Sequence, residues 1–566
     1  MKVLIIGGVA GGATAAARLR RLDETAEIVI LERGGFVSYA NCGLPYYVGG
    51  VITNKRALTL QTPESFWARF RIEVRVHHEV TAIDPVGKTV TVTRTEDGSV
   101  YTEHYDKLVL SPGAKAVVPD LPGIDNPRIF TLRTVEDTYA IHDYITAQSP
   151  KTAVVIGGGF IGLEMAENLV GAGIQTTVLL HGKQAMPPLD YDMACGVHAY
   201  LRSQNVELRF HTEAERFEEQ DGRLLLHLEG KDPITADLVV LAIGVVPETG
   251  LAKAAGLTLG QKGSIVVNDR METSAPDLYA VGDAVEITQF VSGKKALIAL
   301  AGPANKQGRI AADNIAGGDS HFHGTQGSSV IKLFDMTAAN TGLNEKGAQA
   351  AGIPYDKTIT YSASHATYYP GATDMTIKTL FDPASGKILG AQIVGFDGVD
   401  KRIDVLATAI RAGLTAADLE ELELSYAPPY SSAKDPVNMA GFAIENLRSG
   451  KVKHHHWHDV ETLPRDGSVT LLDTRTKREF AEGHIPGTIN IPVDELREHL
   501  DELDKSKKIY VNCYSGLRSY IACRILTQHG FDCSNLSGGY RFYATLAEDA
   551  VCDGTPTHPC GLKIER

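Results

Sequence analysis

The pattern of apolar and glycine positions occurs twice in the first part of the chain. An aliphatic run at residues 3–6 is followed by a glycine-rich turn, an alanine-rich helical stretch through Leu22, and a second apolar run at 27–31. The same order recurs as an aliphatic run at 153–156, a glycine-rich turn at 157–162, a helical stretch and a strand at 176–180. Each segment predicts a strand–helix–strand unit of about 30 residues, the smallest piece that forms a dinucleotide-binding crevice.

The glycines of these two turns serve a physical purpose. The backbone must turn tightly and approach a pyrophosphate, whose charge the helix N-terminus then stabilises. One such turn is weak evidence for a nucleotide site, whereas two in the correct strand–turn–helix context are much stronger. The cofactor-binding candidates in the turns are Gly7, Gly8, Ala10, Gly11, Gly12, Gly157, Gly159 and Gly162.

Two acidic residues extend this prediction to a flavin. Glu32 lies twenty residues after Gly12, where a carboxylate can bind ribose hydroxyls, so the first unit suits FAD. Asp283 follows an apolar stretch and Gly282 and is expected to precede a helix. In isolation it predicts a helix N-cap, but after two dinucleotide units we expect it beside the flavin ribityl phosphate chain.

The remaining pattern predicts two further domains, so the fold class is α/β with two Rossmann-like domains and additional modules. Strands at 329–334, 375–381 and 388–394 precede helical stretches without a nucleotide loop, which indicates a separate α+β domain. A histidine-rich composition break at 451–458 predicts a linker, and a strand at 469–473 begins a compact α/β unit. The predicted boundaries are 1–110 with 245–323 for FAD, 111–244 for NAD(P), 324–446 for the α+β domain, 447–462 for the linker and 463–566 for the last domain.

Composition excludes several classes of function. The 55 basic against 69 acidic residues give a net charge of −14, which disfavours general nucleic-acid binding. No run of about 18 apolar residues predicts a membrane span. Seven cysteines spread over 566 residues do not suggest a disulfide scaffold, so we expect a cytoplasmic protein with thiols available for chemistry.

Cys42 is the first candidate redox residue. A lone cysteine is more often a small core residue, but this one lies among loop formers near the expected flavin ring. No cysteine lies five positions away, so a Cys-x4-Cys disulfide cannot form. The thiol would instead cycle through a mixed disulfide, a persulfide or a sulfenate.

These features resemble the single-cysteine class of pyridine nucleotide-disulfide oxidoreductases, and within it the coenzyme A disulfide reductase branch. The resemblance covers residues 1 to about 446 and includes both glycine turns, Glu32, Gly282-Asp283 and the motif Ser-Tyr-Ala-Asn-Cys-Gly-Leu-Pro-Tyr at 38–46. Peroxidase and oxidase relatives carry a histidine where this chain has Ala10, which argues against peroxide or oxygen as the main substrate. The resemblance identifies residues 324–446 as a dimerisation domain.

The resemblance also implies a homodimer that binds coenzyme A as substrate or ligand. Tyr368 and Tyr426 match paired family tyrosines that reach the other subunit's redox cysteine, whereas the residues alone would suggest ordinary core or interface tyrosines. Arg18 and Arg21 share a helix face that would otherwise be interpreted as solvated surface. The residues that match or lie near family substrate positions are Thr14, Arg18, Arg21, Ser38, Asn41, Arg71, Asn305 and Lys434.

The chain departs from the family pattern at two places. Val9 replaces the usual middle glycine of the first turn, a variation that this branch tolerates. The second unit ends at Leu180 without an acid for the nicotinamide ribose, and His181 and Lys183 could meet a 2′-phosphate instead. We therefore expect NADPH to be used at least comparably with NADH.

The C-terminal domain resembles a rhodanese domain. The resemblance rests on Leu-Leu-Asp-Thr-Arg at 471–475, Glu-Phe-Ala-Glu-Gly-His-Ile-Pro-Gly at 479–487 and Ile-Asn-Ile-Pro at 489–492. The active loop Cys-Tyr-Ser-Gly-Leu-Arg supplies Cys513 and Arg518 as catalytic candidates, in a nest of backbone N–H groups that favours the thiolate. Rhodanese-like phosphatases generally have a loop one residue longer, so the six-residue loop favours sulfane sulfur carriage over phosphate hydrolysis.

The other cysteines and histidines are given no catalytic role. Cys195, Cys523 and Cys533 are expected to be structural. Cys552 and Cys560 bracket His558 in the tail, where a resolving thiol or metal site is an alternative to a flexible segment. A metal site from the histidines at 454–458 is an alternative to the linker, but the linker is preferred because no supporting carboxylate or cysteine spacing accompanies them.

Three functional hypotheses follow. The leading one is a flavoenzyme that passes electrons from NAD(P)H through FAD and Cys42 to coenzyme A persulfide, polysulfide or disulfide, with sulfane sulfur exchanged at Cys513. The second is an NAD(P)H oxidase or peroxidase with a Cys42 sulfenic acid. The third is a non-catalytic sulfur carrier or redox sensor with a vestigial flavin module.

Overall fold

The computed structural model describes residues 1–551, and these form two compact units. The first unit comprises residues 1–181 and 211–327, and the second comprises 182–210 and 328 onward. Cys552, Cys560 and His558 lie outside the described residues. None of the helices between residues 1 and 551 combines the length and apolar character that crossing a bilayer requires.

The first sheet of the first unit is parallel and largely buried. Its strands lie in the spatial order Leu278–Ala280, Lys107–Leu110, Lys2–Ile6, Glu27–Leu31 and Glu73–Arg75. Helix Ala10–Leu22 connects the third and fourth of these strands. It ends at Leu22 as predicted but begins at Ala10, inside the glycine-rich turn, and strand Glu27–Leu31 has the predicted bounds. The register pairs Ile6 with Leu31, so the glycine turn and Glu32 meet at the carboxyl edge of the sheet.

A second parallel sheet repeats this arrangement. Its strands run in the order Gln175–Leu179, Thr152–Ile156, Leu238–Leu241 and Ile129–Thr131, with helix Phe160–Gly171 after the central strand. The strand predicted at 176–180 begins and ends one residue earlier. The antiparallel sheets and strand pairs of this unit are His78–Asp84, Thr89–Arg94 and Val100–His104; Ala214–Gln220, Arg223–Leu228 and Lys231–Ala236; Ala114–Ala116 with Val245–Pro247; and Ile287–Thr288 with Lys295–Ala296.

The remaining helices of the first unit flank these sheets. Helix Ala301–Ile315 packs so closely on Ala10–Leu22 that a Cβ at Gly308 would lie 2.3 Å from the Gly11 carbonyl oxygen. This contact explains why small residues dominate both helices. The others are Leu44–Val48, Pro63–Phe70, Val135–Gln148 and Gly250–Ala254.

The second unit contains a five-stranded antiparallel sheet. Its order is Ser329–Leu333, Met336–Gly342, Ile388–Gly395, Asp374–Phe381 and Asp356–Ala363, which leaves Asp356–Ala363 at one edge. Strand Ile388–Gly395 is buried along its whole length, as its apolar sequence requires. The flanking elements are Tyr191–Ser203, Glu207–Arg209, Glu345–Ala351, Val399–Ala412, Ala416–Glu421 and Pro436–Arg448.

A parallel five-stranded sheet forms the C-terminal part of this unit. Its order is His454–His455, Cys533–Leu536, Ile509–Asn512, Thr470–Asp473 and Ile489–Asn490, with helices Lys477–Glu482, Leu517–Gln528 and Gly539–Val551. Strand His454–His455 lies in the range that the sequence predicted as a linker. Two polar histidines do not indicate a strand, so the pairing with Asn535 and Leu536 could not be predicted.

Candidate active site

The first glycine turn forms a cradle that no larger residue would fit. Gly7 has φ +93°, and a Cβ there would lie 2.2 Å from the Ser111 carbonyl oxygen. A Cβ at Gly12 would lie 1.9 Å from the Gly7 carbonyl oxygen. The Glu32 carboxylate accepts hydrogen bonds from the Gly8 and Gly34 N–H groups, both at 2.9 Å. Helix Ala10–Leu22 begins without a side-chain cap, so these residues fit the pyrophosphate and ribose of FAD.

Asp283 lies in a turn, and the prediction that a helix follows it is wrong. Gly282 has φ +86° and donates its N–H to the Gln307 side chain at 2.7 Å, and the chain then turns toward strand Ile287–Thr288. Arg133 donates to the Asp283 carboxylate at 2.7 Å. The acid is therefore held by a guanidinium rather than by a helix N-terminus.

The second glycine turn repeats the first and leaves more space. A Cβ at Gly157 would lie 2.2 Å from the Ala242 carbonyl oxygen, and one at Gly162 would lie 2.0 Å from the Gly157 carbonyl oxygen. A Cβ at Gly159 would meet nothing within 4 Å. Gly159 precedes helix Phe160–Gly171, which also begins without a side-chain cap. This open cradle at a helix N-terminus fits the pyrophosphate of a second dinucleotide.

A carboxylate that the local sequence did not indicate lies beside the end of the second strand–helix–strand unit. The Thr212 N–H donates to the Leu180 carbonyl at 3.0 Å, which brings the neighbouring Glu213 carboxylate against the exposed His181 ring. Lys183 places its ammonium over the Tyr191 ring, 4.5 Å from the centroid. Use of NADPH stays a prediction, and Glu213 opposes it because a carboxylate repels a 2′-phosphate.

Neutralising Glu213 should shift the choice of nicotinamide. The variant Glu213→Gln leaves His181 to face the ribose, and we expect kcat/KM for NADPH relative to NADH to rise about fivefold, since one surface charge contributes roughly 1 kcal/mol. Paired steady-state kinetics with both nucleotides measure the ratio. Glu215→Gln, an exposed acid two residues further along the chain, is the control. A ratio that stays constant or falls would remove Glu213 from nucleotide selection.

Cys42 lies in the turn Asn41–Gly43, directly before helix Leu44–Val48. The residue is exposed, yet partial desolvation of its thiol raises the pKa of Cys42, and the carboxylates of Glu164 and Asp283 raise it further. Burial and the Glu167 charge raise the pKa of Glu164 to about 7, and the Tyr46 hydroxyl lies 3.5 Å from the Glu164 carboxylate. Glu164 comes from helix Phe160–Gly171, so Cys42 lies where the two dinucleotide units meet.

Arg133 connects Asn41 to Asp283. In the amide orientation that satisfies both groups, Asn41 donates to the Arg133 carbonyl at 3.1 Å and accepts from its guanidinium at 3.2 Å. Ser38 adopts a left-handed conformation with φ 48° and donates its N–H to the Gly8 carbonyl at 2.8 Å. The cysteine loop is thereby attached to both the first glycine turn and Asp283. Neither Arg133 nor Glu164 was predicted from the sequence, although Glu164 carries a local signal because it lies two residues after Gly162.

The candidate substrate residues fall into separate groups. The Thr14 hydroxyl bonds to the Asn305 side chain at 2.8 Å, and Arg18 pairs with Asp313 at 2.6 Å, whereas Arg21 is exposed on the same helix. Arg71 follows helix Pro63–Phe70 in a left-handed conformation, with its guanidinium 5.5 Å from the Trp67 ring centroid.

Lys434 belongs to the second unit. It lines a surface cavity of about 270 Å³ together with Glu420, Glu423 and Asn438. Within the first unit, the structure therefore brings Thr14 and Asn305 together and leaves Arg71 in other surroundings.

The two predicted tyrosines form a pair on the surface of the second unit. The Tyr368 and Tyr426 hydroxyls are 2.8 Å apart, and the residues are 75% and 48% exposed. The hydrogen bond from Tyr426 raises the pKa of Tyr368. Two exposed tyrosines joined by their hydroxyls form a compact polar and aromatic patch that can contact another molecule.

Cys513 lies at the bottom of the C-terminal loop, immediately after strand Ile509–Asn512. Its side chain is fully buried, and Sγ accepts from the Gly516 N–H at 3.1 Å and from the Ser519 hydroxyl at 3.2 Å. Gly516, with φ +98°, reverses the backbone before helix Leu517–Gln528. The loop therefore directs one N–H group and one hydroxyl group at this sulfur atom.

Arg518 is held by a carboxylate beside this loop. Its guanidinium donates two hydrogen bonds to Glu479, at 2.6 and 2.8 Å, and these bonds lower the pKa of Glu479 to about 2. The arginine charge is thus balanced before any anion arrives, which is less favourable to a dianionic phosphate than an unpaired arginine would be. Glu479 is the first residue of the rhodanese-like motif at 479–487, but its pairing with Arg518 was not predicted from the sequence.

Three comparisons place these features among known proteins. Residues 1–308 match the family model for pyridine nucleotide-disulphide oxidoreductases, 328–436 match that family's dimerisation domain, and 457–545 match a rhodanese-like domain. The chain is 36% identical over 447 residues to a coenzyme A disulfide reductase of Staphylococcus haemolyticus, covering 79% of this chain and all of that protein.

Two solved structures extend the similarity over the C-terminal domain. Reduced Bacillus anthracis CoADR-RHD has a TM-score of 0.95 and 49% identity, covering 97% of this chain and 98% of that one. An NAD-dependent persulfide reductase from A. fulgidus has a TM-score of 0.89 and 39% identity, covering 96% of this chain and all of that one. The predicted fold class is confirmed, and the chain belongs to the pyridine nucleotide-disulphide oxidoreductase family, with a dimerisation domain and a C-terminal rhodanese-like domain.

Proposed function

We propose that the protein is an FAD-dependent NAD(P)H:coenzyme A persulfide, polysulfide or disulfide reductase. The observation that carries the proposal is the pairing of two different cysteine sites in one chain. Cys42 is exposed where two dinucleotide units meet, and Cys513 is buried under hydrogen-bond donors in a rhodanese-like loop. Reduction of a persulfide explains this combination better than reduction of a simple disulfide, because only the former handles sulfane sulfur.

The glycine turns would hold the two cofactors. Gly7, Gly8, Gly11, Gly12, Glu32 and Asp283 would hold FAD, and Gly157, Gly159 and Gly162 would hold NAD(P)H. When bound, FAD accepts a hydride from the nicotinamide and supplies an electron pair for reduction of sulfur. Asn41 and Arg133 fix the loop that presents Cys42.

Cys42 carries the substrate sulfur in this mechanism. Its thiolate attacks one sulfur of the substrate S–S bond, that bond breaks, and either coenzyme A thiolate or hydrosulfide leaves. The Cys42–S bond of the resulting mixed disulfide or persulfide is then cleaved by the electron pair. For the persulfide, the balance is CoA–S–SH + NAD(P)H + H⁺ → CoA–SH + H₂S + NAD(P)⁺.

Glu164 tunes the charge beside Cys42. With a pKa of about 7, its carboxyl group changes from mostly neutral to mostly ionised as the pH rises through the neutral range. Ionisation adds a negative charge that raises the pKa of Cys42, whereas protonation favours the thiolate. The carboxyl group can also hold a proton for a departing thiolate.

Glu164→Gln should lower the pKa of Cys42, because it removes the first carboxylate that opposes thiolate formation. The measurement is the rate of Cys42 alkylation by iodoacetamide against pH, with the modified peptide counted by mass spectrometry. We expect the alkylation profile to move to lower pH, most visibly above pH 7, while Glu213→Gln leaves it in place. A profile displaced to higher pH would contradict this role.

The tyrosine pair and the dimerisation domain support a homodimer. We infer that Tyr368 and Tyr426 of one subunit reach Cys42 of the other, where their phenols could stabilise a departing thiolate. Thr14, Arg18, Arg21, Ser38, Asn41, Arg71, Asn305 and Lys434 would bind coenzyme A. Cys513 would exchange sulfane sulfur with the coenzyme A thiol, with Arg518 beside it.

Anaerobic titration tests this proposal. Addition of NAD(P)H should bleach the flavin, and subsequent coenzyme A persulfide should restore its colour with release of one H₂S per nicotinamide oxidised. A flavin that does not bleach would favour the sulfur-carrier hypothesis. A bleached flavin that only oxygen or peroxide restores would favour the oxidase or peroxidase hypothesis.

A further inference from the structure

Two histidines of the C-terminal domain converge on one carboxylate of the antiparallel sheet. His454 Nε2 lies 3.1 and 3.2 Å from the two Asp356 carboxylate oxygens, and His456 Nε2 lies 3.6 Å from Oδ1. The two imidazole rings are 4.6 Å apart between centroids. Asp356 precedes His454 by 98 positions, so the carboxylate that sequence analysis found lacking is supplied by the fold.

The spacing of these atoms suits a small divalent ion. Bonds of about 2.0–2.2 Å from Zn²⁺ to imidazole nitrogen or carboxylate oxygen put neighbouring ligand atoms of a tetrahedral site roughly 3.3–3.6 Å apart. The distances between Asp356 and the histidines lie close to this range, and one ligand atom from each residue lies within 4.8 Å of the others. The side chains of His454 and His456 are only 12% and 14% exposed, so both imidazoles are already largely desolvated.

Two other clusters of this kind in the described residues already contain a cationic side chain. The Lys378 ammonium pairs with Asp190, Asp192 and Glu345 at 2.5–2.9 Å, and Arg202 donates to Asp549 at 2.7 Å beside Cys195 and His198. By contrast, the ion pairs that Asp356 forms within residues 1–551 are with the two histidines alone.

The lysine next to Asp356 does not fill the site. Lys357 directs its ammonium to Glu345, with N–O distances of 2.7 and 2.8 Å. We propose that His454, His456 and Asp356 bind one divalent transition-metal ion of the Zn²⁺ type, with water completing the coordination. Two imidazoles and one carboxylate form a donor set that binds such ions in preference to Mg²⁺ or Ca²⁺.

The ion would join two parts of the second unit at a place where they already touch. Asp356 begins the edge strand of the antiparallel sheet, and His454 begins the first strand of the rhodanese-like sheet. The Ile359 N–H on the same edge strand donates to the Ser537 hydroxyl at 3.1 Å. A bound metal would therefore stabilise the attachment of the rhodanese-like domain to the sheet edge, independently of the proposed reductase chemistry.

Zinc counting tests this inference on the purified full-length holoenzyme after chelator treatment. Equilibrium dialysis against micromolar ZnCl₂, followed by elemental mass spectrometry, should show one more zinc per chain in the wild type than in Asp356→Asn or in the double variant His454→Gln, His456→Gln. The cysteines contribute equally to wild type and variants, so the difference isolates this site. Zinc should also raise the thermal unfolding midpoint more in the wild type than in the variants.

The matched control is His499→Gln. His499 faces the single carboxylate of Glu502 at 2.6 Å, so it tests a histidine–carboxylate pair outside the proposed site. This variant should bind as much zinc as the wild type. FAD content and circular dichroism verify folding of every variant. Equal zinc content in the wild type and the site variants would overturn the inference. X-ray absorption showing that the zinc lost in the double variant was bound by sulfur ligands would also overturn it.

Discussion

Replacing Cys42 by serine is expected to abolish turnover of coenzyme A disulfide and persulfide while FAD stays bound and is still reduced by NAD(P)H. A hydroxyl cannot form the mixed disulfide or persulfide, and loss of a nucleophile typically costs at least about 10³-fold in rate. The flavin cradle depends on Gly7, Gly12 and Glu32, whose contacts do not include the thiol. Binding and flavin reduction should therefore survive the change.

Stopped-flow bleaching by NAD(P)H and steady-state turnover on the same preparation separate the two half-reactions. The Cys42→Ser variant should bleach at a rate close to that of the wild type and fail to turn over sulfur substrates. Cys513→Ser is the matched control, and this variant should both bleach at the wild-type rate and turn over coenzyme A disulfide. Turnover retained by Cys42→Ser would exclude this cysteine from the mechanism.

Replacing Cys513 by serine is expected to abolish sulfur transfer from thiosulfate or persulfide donors by the C-terminal domain. Sγ is the atom that the Gly516 and Ser519 donors address, and serine offers no sulfur to carry. Reduction of coenzyme A disulfide and of small soluble persulfides should stay largely intact, because Cys42 carries that reaction.

The pattern of loss across substrates distinguishes two arrangements of the centres. If sulfur must pass from Cys513 to Cys42, the defect of Cys513→Ser should appear only with donors that need the relay. Equal loss with every substrate would mean that the two modules form one obligatory site. Unchanged sulfur transfer would mean that the resemblance of the loop to rhodaneses is misleading.

Local pattern was sufficient for the elements that carry the cofactors. Strand Glu27–Leu31 and the C-terminal end of helix Ala10–Leu22 lie where the sequence predicts, because charged residues bound both and each has one dominant hydrophobic periodicity. The helix begins at Ala10, inside the glycine-rich turn, where small residues give no boundary signal. The helix expected after Asp283 is absent because Gly282 takes a positive φ and turns the chain elsewhere. A short apolar run followed by Gly-Asp does not distinguish these outcomes.

Residues that complete a site from a distant part of the chain could not be predicted in the same way. Glu213 reaches His181 because a loop returns to the strand end, and Arg133 reaches Asp283 across 150 positions. Asp356 meets His454 only because two sheets of the second unit are in contact. No local spacing records such contacts, whereas Glu164 and Glu479 stood within or beside recognised motifs and lacked only an assigned role.

The most direct test of the proposed reductase activity is the rate of NAD(P)H oxidation by one preparation with four acceptors. Coenzyme A persulfide and coenzyme A disulfide are assayed without oxygen, and oxygen and hydrogen peroxide are assayed without sulfur substrates. The account predicts that the sulfur substrates, led by the persulfide with stoichiometric H₂S release, exceed both oxygen species in kcat/KM. Turnover confined to oxygen or peroxide would contradict it.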